Sequence, residues 1–206
     1  MKVGIIGAGR VALAIARNLL AQGHDVALSS RRSPSGLAET IAALGAGAKA
    51  VSVREAATAE IVVLAVPWSE AQRVLTDLPP WNGRILIDTT NPFIAGPQKL
   101  VVADLGGHSS STIVAEQARG ARVVKAFNSI LMKNFEKGPT QDGARRVLFV
   151  SGDDPSAKNV VRGLIEAFGY AVIDLGGLED GGRMQQGDGP LAGKDLLMLS
   201  DWRFGG

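Results

Sequence analysis

Residues 2–23 read "KVGIIGAGRVALAIARNLLAQG", and within them the hydrophobic period changes once. The first part, "KVGIIG" over 2–7, is a short apolar run of the kind that forms a strand covered on both faces. From Arg10 onward Val11, Ile15, Leu19 and Leu20 recur at helical spacing, and Gly23 stops the pattern. Between the two lies a G-x-G-x-x-A turn formed by Gly7, Ala8, Gly9, Arg10, Val11 and Ala12. Gly7 permits a tight turn, Gly9 lets backbone approach a pyrophosphate, and Ala12 lets the helix pack closely on the strand. A helix starting at Arg10 offers free N–H groups and the positive end of its dipole to phosphates. With a strand before it and an amphipathic helix after it, the turn reads as a dinucleotide site. A glycine turn required only for packing is the alternative.

The same alternation continues along the chain. Strands are predicted at "DVALSS" (25–30), "EIVVLAV" (60–66), "RILIDT" (84–89), "RVVKAF" (122–127), "RVLFVSG" (146–152) and "YAVIDL" (170–175), with a weaker one at 48–51. The clearest helix spans 155–168. Asp154 caps it, Pro155 takes its first position, and Val160, Val161, Leu164, Ile165 and Phe168 form one stripe before Gly169. Strand and helix in turn imply an α/β fold of Rossmann type, a doubly wound, mostly parallel sheet with helices on both sides. Residues 1–175 are read as the dinucleotide-binding domain. Residues 176–206 are read as a short C-terminal extension packed on it; glycines cluster there and the regular pattern fades.

Arg31 and Arg32 decide which nucleotide the site expects. Ligands of parallel sheets bind at the carboxyl ends of strands, and the second strand ends in Ser29, Ser30, Arg31 and Arg32. Asp25 sits at the wrong end to accept hydrogen bonds from ribose hydroxyls. Hydroxyls and guanidinium groups suit a 2′-phosphate, which makes NADP(H) the expected cofactor.

Further strand ends supply the rest of the candidate lining. Ala65 and Val66 lead to Pro67, which fixes the backbone, and to Trp68, whose ring offers a face to a ligand or packs on the sheet edge. Thr89, Thr90, Asn91 and Pro92 form either a polar turn or a set of partners for a nicotinamide. Ala126, Phe127, Asn128 and Ser129 finish the fifth strong strand. His108, in "GGHSSST", suits a solvated loop better than catalysis.

Composition limits the remaining choices. The chain has 206 residues, 46% hydrophobic and 20% charged, no cysteine, two histidines and a formal charge of +2. Disulfides, thiolate metal sites and a cysteine nucleophile are excluded, and no metal site is expected. No basic stripe suggests nucleic acid. No apolar run approaches the roughly 20 residues of a membrane span, and a cytoplasmic location is expected.

The stretches "GIIGAGRVALAIARNLLAQGHDVALSSRR", "AVPW", "DTTNP" and "VVKAFN" together resemble the NADPH-dependent deazaflavin reductase family. Its members are 8-hydroxy-5-deazaflavin:NADP oxidoreductases, and the reductase domain of the STEAP metalloreductases is related. The likeness runs from the first residue to about residue 175. It implies hydride transfer between NADP(H) and a deazaflavin or flavin, a small-molecule acceptor, in a cleft at the strand ends. It also places residues 126–129 near the nicotinamide. Such chemistry asks the protein for positioning, without a nucleophile, metal or obligatory general acid. A small imine or 3-hydroxyacid reductase is a second reading, and an NADP-binding sensor without turnover a third. Leu178, Met184, Leu191 and residues 196–199 suit either an acceptor pocket or the interface of a homodimer.

Overall fold

The computed structural model describes residues 1–96 and 98–199. The chain begins with β1 (Lys2–Ile6), α1 (Arg10–Ala21), β2 (Asp25–Ser29), a 3-10 turn (Pro34–Leu37), α2 (Ala38–Leu44) and β3 (Ala48–Ala50). It continues with α3 (Val53–Ala56), β4 (Ile61–Leu64), α4 (Trp68–Thr76) and β5 (Ile85–Asp88). Strands β6 (Phe93–Ala95) and β7 (Leu100–Val102) then interrupt the alternation. After them come α5 (Ser110–Gln117), β8 (Arg122–Ala126), α6 (Met132–Phe135), β9 (Thr140–Gln141) and β10 (Ala144–Gly152). The described chain closes with α7 (Pro155–Ala167), β11 (Ala171–Asp174), α8 (Asp180–Gln185) and β12 (Leu197–Met198).

The main sheet runs β3-β2-β1-β4-β5-β8-β10-β11, and β9 and β12 pair with β10 off that path. From β3 to β8 all neighbours are parallel. The chain winds outward from β1 in both directions, so a crevice opens at the carboxyl ends of β1 and β4, the switch point where such folds bind ligands. The Rossmann-type, mostly parallel sheet read from the sequence is therefore the sheet observed. Its exception is β10, which runs antiparallel to β8. The cause is local. Asp142 and Gly143, with φ of 51° and 80°, turn β9 back onto β10, where a helical crossover would have kept the strand parallel.

Both faces of the sheet are covered. Val3, Ile5, Val26, Leu28 and Val63 pack on one side with Ile15, Leu19, Val161 and Ile165 from α1 and α7. Ile6, Val62, Leu64 and Leu86 pack on the other with Ala56, Ala71, Leu75 and Val114 from α3, α4 and α5. Each fully buried Val, Leu or Ile contributes roughly 1.5–3 kcal/mol relative to exposure, which is why near-continuous apolar strands fold into the centre of a sandwich of helices.

The described part of the segment after β11 packs on the sheet. Leu178 is buried in the second cluster, and Arg146 holds Asp195 at 3.0 Å while donating to the carbonyls of Gly138 and Thr140. Residues 200–206 of the predicted extension lie outside the described residues.

Candidate functional site

Three cavities follow one another across the carboxyl ends of the strands. The first is a groove of about 170 Å³ lined by Gly7, Ala8, Gly9, Ser30 and Arg31, with Val66 and Pro67 opposite. It shares Gly9, Ala65, Val66 and Pro67 with a cleft of about 660 Å³. That cleft shares Val11, Thr89, Asn91 and Phe93 with a recess of about 370 Å³ against residues 127–132. Trp68 stands in the cleft wall while also packing on the core.

The start of α1 is built to meet an anion. Gly7 has φ +124°, and a Cβ there would lie 2.1 Å from Ala65 O, so no other residue fits the turn. The space over Gly9 is open, no side chain caps α1, and its first turn carries no acidic residue. Free N–H groups and the helix dipole therefore face the crevice. Arg10 lines the cleft too, with its guanidinium tied to Glu136 by bonds of 2.7 and 2.9 Å.

The four residues after β2 divide. Arg31 reaches the groove, and its pairing with Glu70 is loose at 3.6 Å. Glu70 is engaged more closely by Arg73 at 2.6 Å, whose hydrogen bond chiefly holds its carboxyl below the usual glutamate value. Arg31 thus keeps an uncommitted guanidinium. Arg32 is not among the groove residues; its stem packs beside Gly36, and its N–H donates to Ser30 Oγ. Ser29 corrects the sequence expectation of a hydroxyl facing the ligand. It is fully buried and donates to Ile5 O at 3.0 Å.

The same economy governs the turn after β5. Thr89 donates to Leu64 O at 2.9 Å, and the N–H and hydroxyl of Thr90 both go to Asp88, at 2.9 and 2.7 Å. The Thr90 carbonyl accepts from Lys125 at 3.0 Å. Lys125 and Asp88 form a fully buried ion pair at 3.2 Å, completed by Ser110 Oγ, 3.0 Å from Lys125, and by the Ser111 hydroxyl on Asp88. The Thr90 hydroxyl that "DTTNP" offered for orienting a ring is spent on folding, while Thr90 itself lines the cleft. This network escaped sequence reasoning, because Asp88 and Lys125 lie 37 residues apart on strands read as uniformly apolar. Pro92 is buried, and its carbonyl accepts from Ala103 N at 2.8 Å to close the β6–β7 pair.

Asn91 and Asn128 are brought together. Asn91 donates to Asn128 O at 2.8 Å, and Asn128 donates to Asn91 Oδ1 at 3.0 Å and to Gln185 O at 2.7 Å. Asn128 Oδ1 is buried without a partner. Phe127 takes φ +64°, a conformation costing a bulky side chain about 1–3 kcal/mol, and so turns Asn128 toward the recess. Ala126 is fully buried and lines none of the three cavities, which corrects its inclusion among ligand contacts. His108 is exposed on a turn apart from them.

Among the described residues no group of three or more His, Asp or Glu is arranged to hold a metal ion, and no helix is long and apolar enough to cross a membrane.

Fold and crevice together define a Rossmann-type α/β protein with an open cleft at its switch point. Residues 2–92 match the family model described as NADP oxidoreductase, coenzyme F420-dependent. The chain is 31% identical over 179 residues to the Metalloreductase STEAP3 of Rattus norvegicus, covering 86% of this chain and 34% of that protein. It therefore spans about a third of that relative's length. The solved structure of SMa0349 from Sinorhizobium meliloti superposes with a TM-score of 0.88 at 36% identity, over 96% of each chain. A candidate F420-dependent NADP-reductase from Arthrobacter sp. FB24 superposes with a TM-score of 0.77 at 26% identity, over 86% of each chain. The match over residues 2–92, together with these relatives, supports the coenzyme F420-dependent NADP oxidoreductase family for this chain.

Proposed function

We propose that the protein is an NADPH-dependent reductase that passes hydride to a flavin or deazaflavin in the cytoplasm. The observation that carries this reading is the continuity of groove, cleft and recess past an uncapped helix start. Along that course Ser30 and Arg31 would hold the 2′-phosphate of a dinucleotide, and Gly9 and the first N–H groups of α1 its pyrophosphate. Thr89, Asn91 and Asn128 would bound the space for its nicotinamide end. When bound, NADPH supplies hydride from its ring, and one proton from water completes the reduction of the acceptor.

The protein's own residues bind, align and dry the reacting partners. Asp88 and Lys125 hold the Thr90–Asn91 turn rigid, and Asn91 locks Asn128 in place. Asn128 itself lines the recess beside Asn91. Trp68, Phe93, Ile94 and Leu100 give the cleft an apolar wall that excludes water from the transfer. The affiliation with an F420-dependent family supports a deazaflavin acceptor, and the STEAP3 likeness supports a reductase role.

Stopped-flow oxidation of NADPH against 8-hydroxy-5-deazaflavin, FMN and FAD in turn tests the reading. Rapid oxidation with at least one ring acceptor is expected. Tight nucleotide binding with no oxidation by any of them would instead identify a sensor.

A further inference from the structure

Phe93 occupies an unusual place in the trough. Its side chain lines both the cleft and the recess, yet 37% of the residue remains exposed. It is carried on the first residue of β6, whose pairing with β7 and whose N–H bond to Asn91 O at 2.7 Å fix its base. Its ring lies on Gly187, where a Cβ would come 2.4 Å from ring Cζ and 2.7 Å from Cε1. A side chain at 187 would displace the ring, so the glycine leaves room for it. The seat is tied to the same wall through Gln185, which accepts from Asn128 and donates to Ser151 at 2.7 Å.

The surroundings are apolar and open. Ile94 and Leu100 are 37% and 64% exposed on the same hairpin and face the cleft, while the Thr89 and Thr90 hydroxyls are consumed within the fold. An exposed ring on a fixed seat in the middle of an apolar trough offers a flat π-face to a ligand.

We propose that Phe93, seated on Gly187, is the specificity-determining platform of the acceptor site and selects flat fused-ring aromatic acceptors. The claim rests on the reductase reading and deepens it, because it gives the C-terminal segment a part in acceptor choice. A flat ring system stacks on Phe93 across a broad face, whereas a puckered or branched carbonyl or imine substrate meets it at few atoms.

The test measures binding of oxidised FMN and 8-hydroxy-5-deazaflavin to the full chain with saturating NADP⁺, by fluorescence quenching, with NADP⁺ affinity measured separately. Phe93→Ala is expected to weaken ring binding by about tenfold, a clearly larger loss than in NADP⁺ affinity, and Phe93→Tyr to retain ring binding. Gly187→Ala, which forces the ring from its seat, is expected to give a similar loss, and Phe93→Ala/Gly187→Ala to be no weaker than Phe93→Ala alone. Phe93→Leu keeps apolar bulk without a flat face and is expected to bind rings as poorly as Phe93→Ala, so the claim stands testable if either smaller variant fails to fold. Unchanged ring affinity in Phe93→Ala or Phe93→Leu, equal losses for ring and NADP⁺, or additive effects of the two sites would overturn the platform. Wild-type protein that binds neither ring overturns it as well. Wild-type protein that binds rings through Phe93 but never oxidises NADPH leaves the platform standing and removes the reductase reading.

Discussion

Arg31 illustrates how one side chain separates two nearly identical ligands. Its guanidinium lines the groove beside Gly7 and Gly9, held only by a long contact to a Glu70 that Arg73 already occupies. Turning from Glu70 to a phosphate therefore sacrifices little. Because the group is exposed, its charge-assisted bond is screened, and Arg31→Ala is expected to weaken NADPH binding by about tenfold while leaving NADH nearly unchanged, as titration calorimetry would read. Equal losses would place the residue away from the 2′-phosphate. Lys125 shows the opposite case, a charge held entirely within the fold. Lys125→Met strands the Asp88 carboxylate in a dry site and is expected to cost about 3–5 kcal/mol in urea unfolding. Adding Asp88→Asn should return part of that loss; a double variant less stable than Lys125→Met would show that the pair is not coupled.

Elements with a complete local signal were legible. Helix α7 carries its own start, stripe and stop, and Asp154 accepts from Ala157 N at 2.7 Å as the cap pattern requires. Strands β1, β2, β4, β5 and β8 announce themselves because both faces are buried. The reversal of β10 was written in Asp142–Gly143, a dipeptide suited to positive φ, but an apolar run carries no sign of its direction. Strands β6 and β7 are three residues each and mostly exposed, so alternation gave them no signal. Helix α8 is short and glycine-rich, and it is fixed by tertiary contacts instead of propensity. Glu179 at its start accepts from Ser109 N at 3.1 Å and Thr112 Oγ1 at 2.8 Å, and also pairs with Arg183, so it caps α5 from a distant part of the chain. The Ser109 backbone bond chiefly lowers its carboxyl below the ordinary value of 4.5. A depressed carboxyl stabilises the fold above that value and loses its effect as pH falls through the lowered one. Hydrogen-exchange protection at the start of α5 should accordingly persist above pH 4.5 and decline below it. In Glu179→Gln that decline should vanish; an unchanged acid profile would assign the effect to another group.

At the scale of the molecule, the sheet decides where the ligand goes and the loops decide what it is. The crevice between β1 and β4 follows from strand order, and the parallel run that holds it follows from the alternation visible in the sequence. The expectations that needed correction at Ser29, at the Thr90 hydroxyl and at Ala126 share one cause: each stands at a strand end, but the direction of its side chain and the partner it meets depend on the packed structure. The C-terminal segment was opaque for a related reason, since Gly187 is meaningful only beside the ring of Phe93. The most direct measurement uses NADPH deuterated at the transferring position of its C4, mixed in single turnover with 8-hydroxy-5-deazaflavin, followed by mass spectrometry of the reduced acceptor. Deuterium bound at the ring carbon of the acceptor is the result expected of direct transfer in a shared cleft. Acceptor reduced with solvent hydrogen at that carbon, or NADPH left intact beside a bound acceptor, would contradict it.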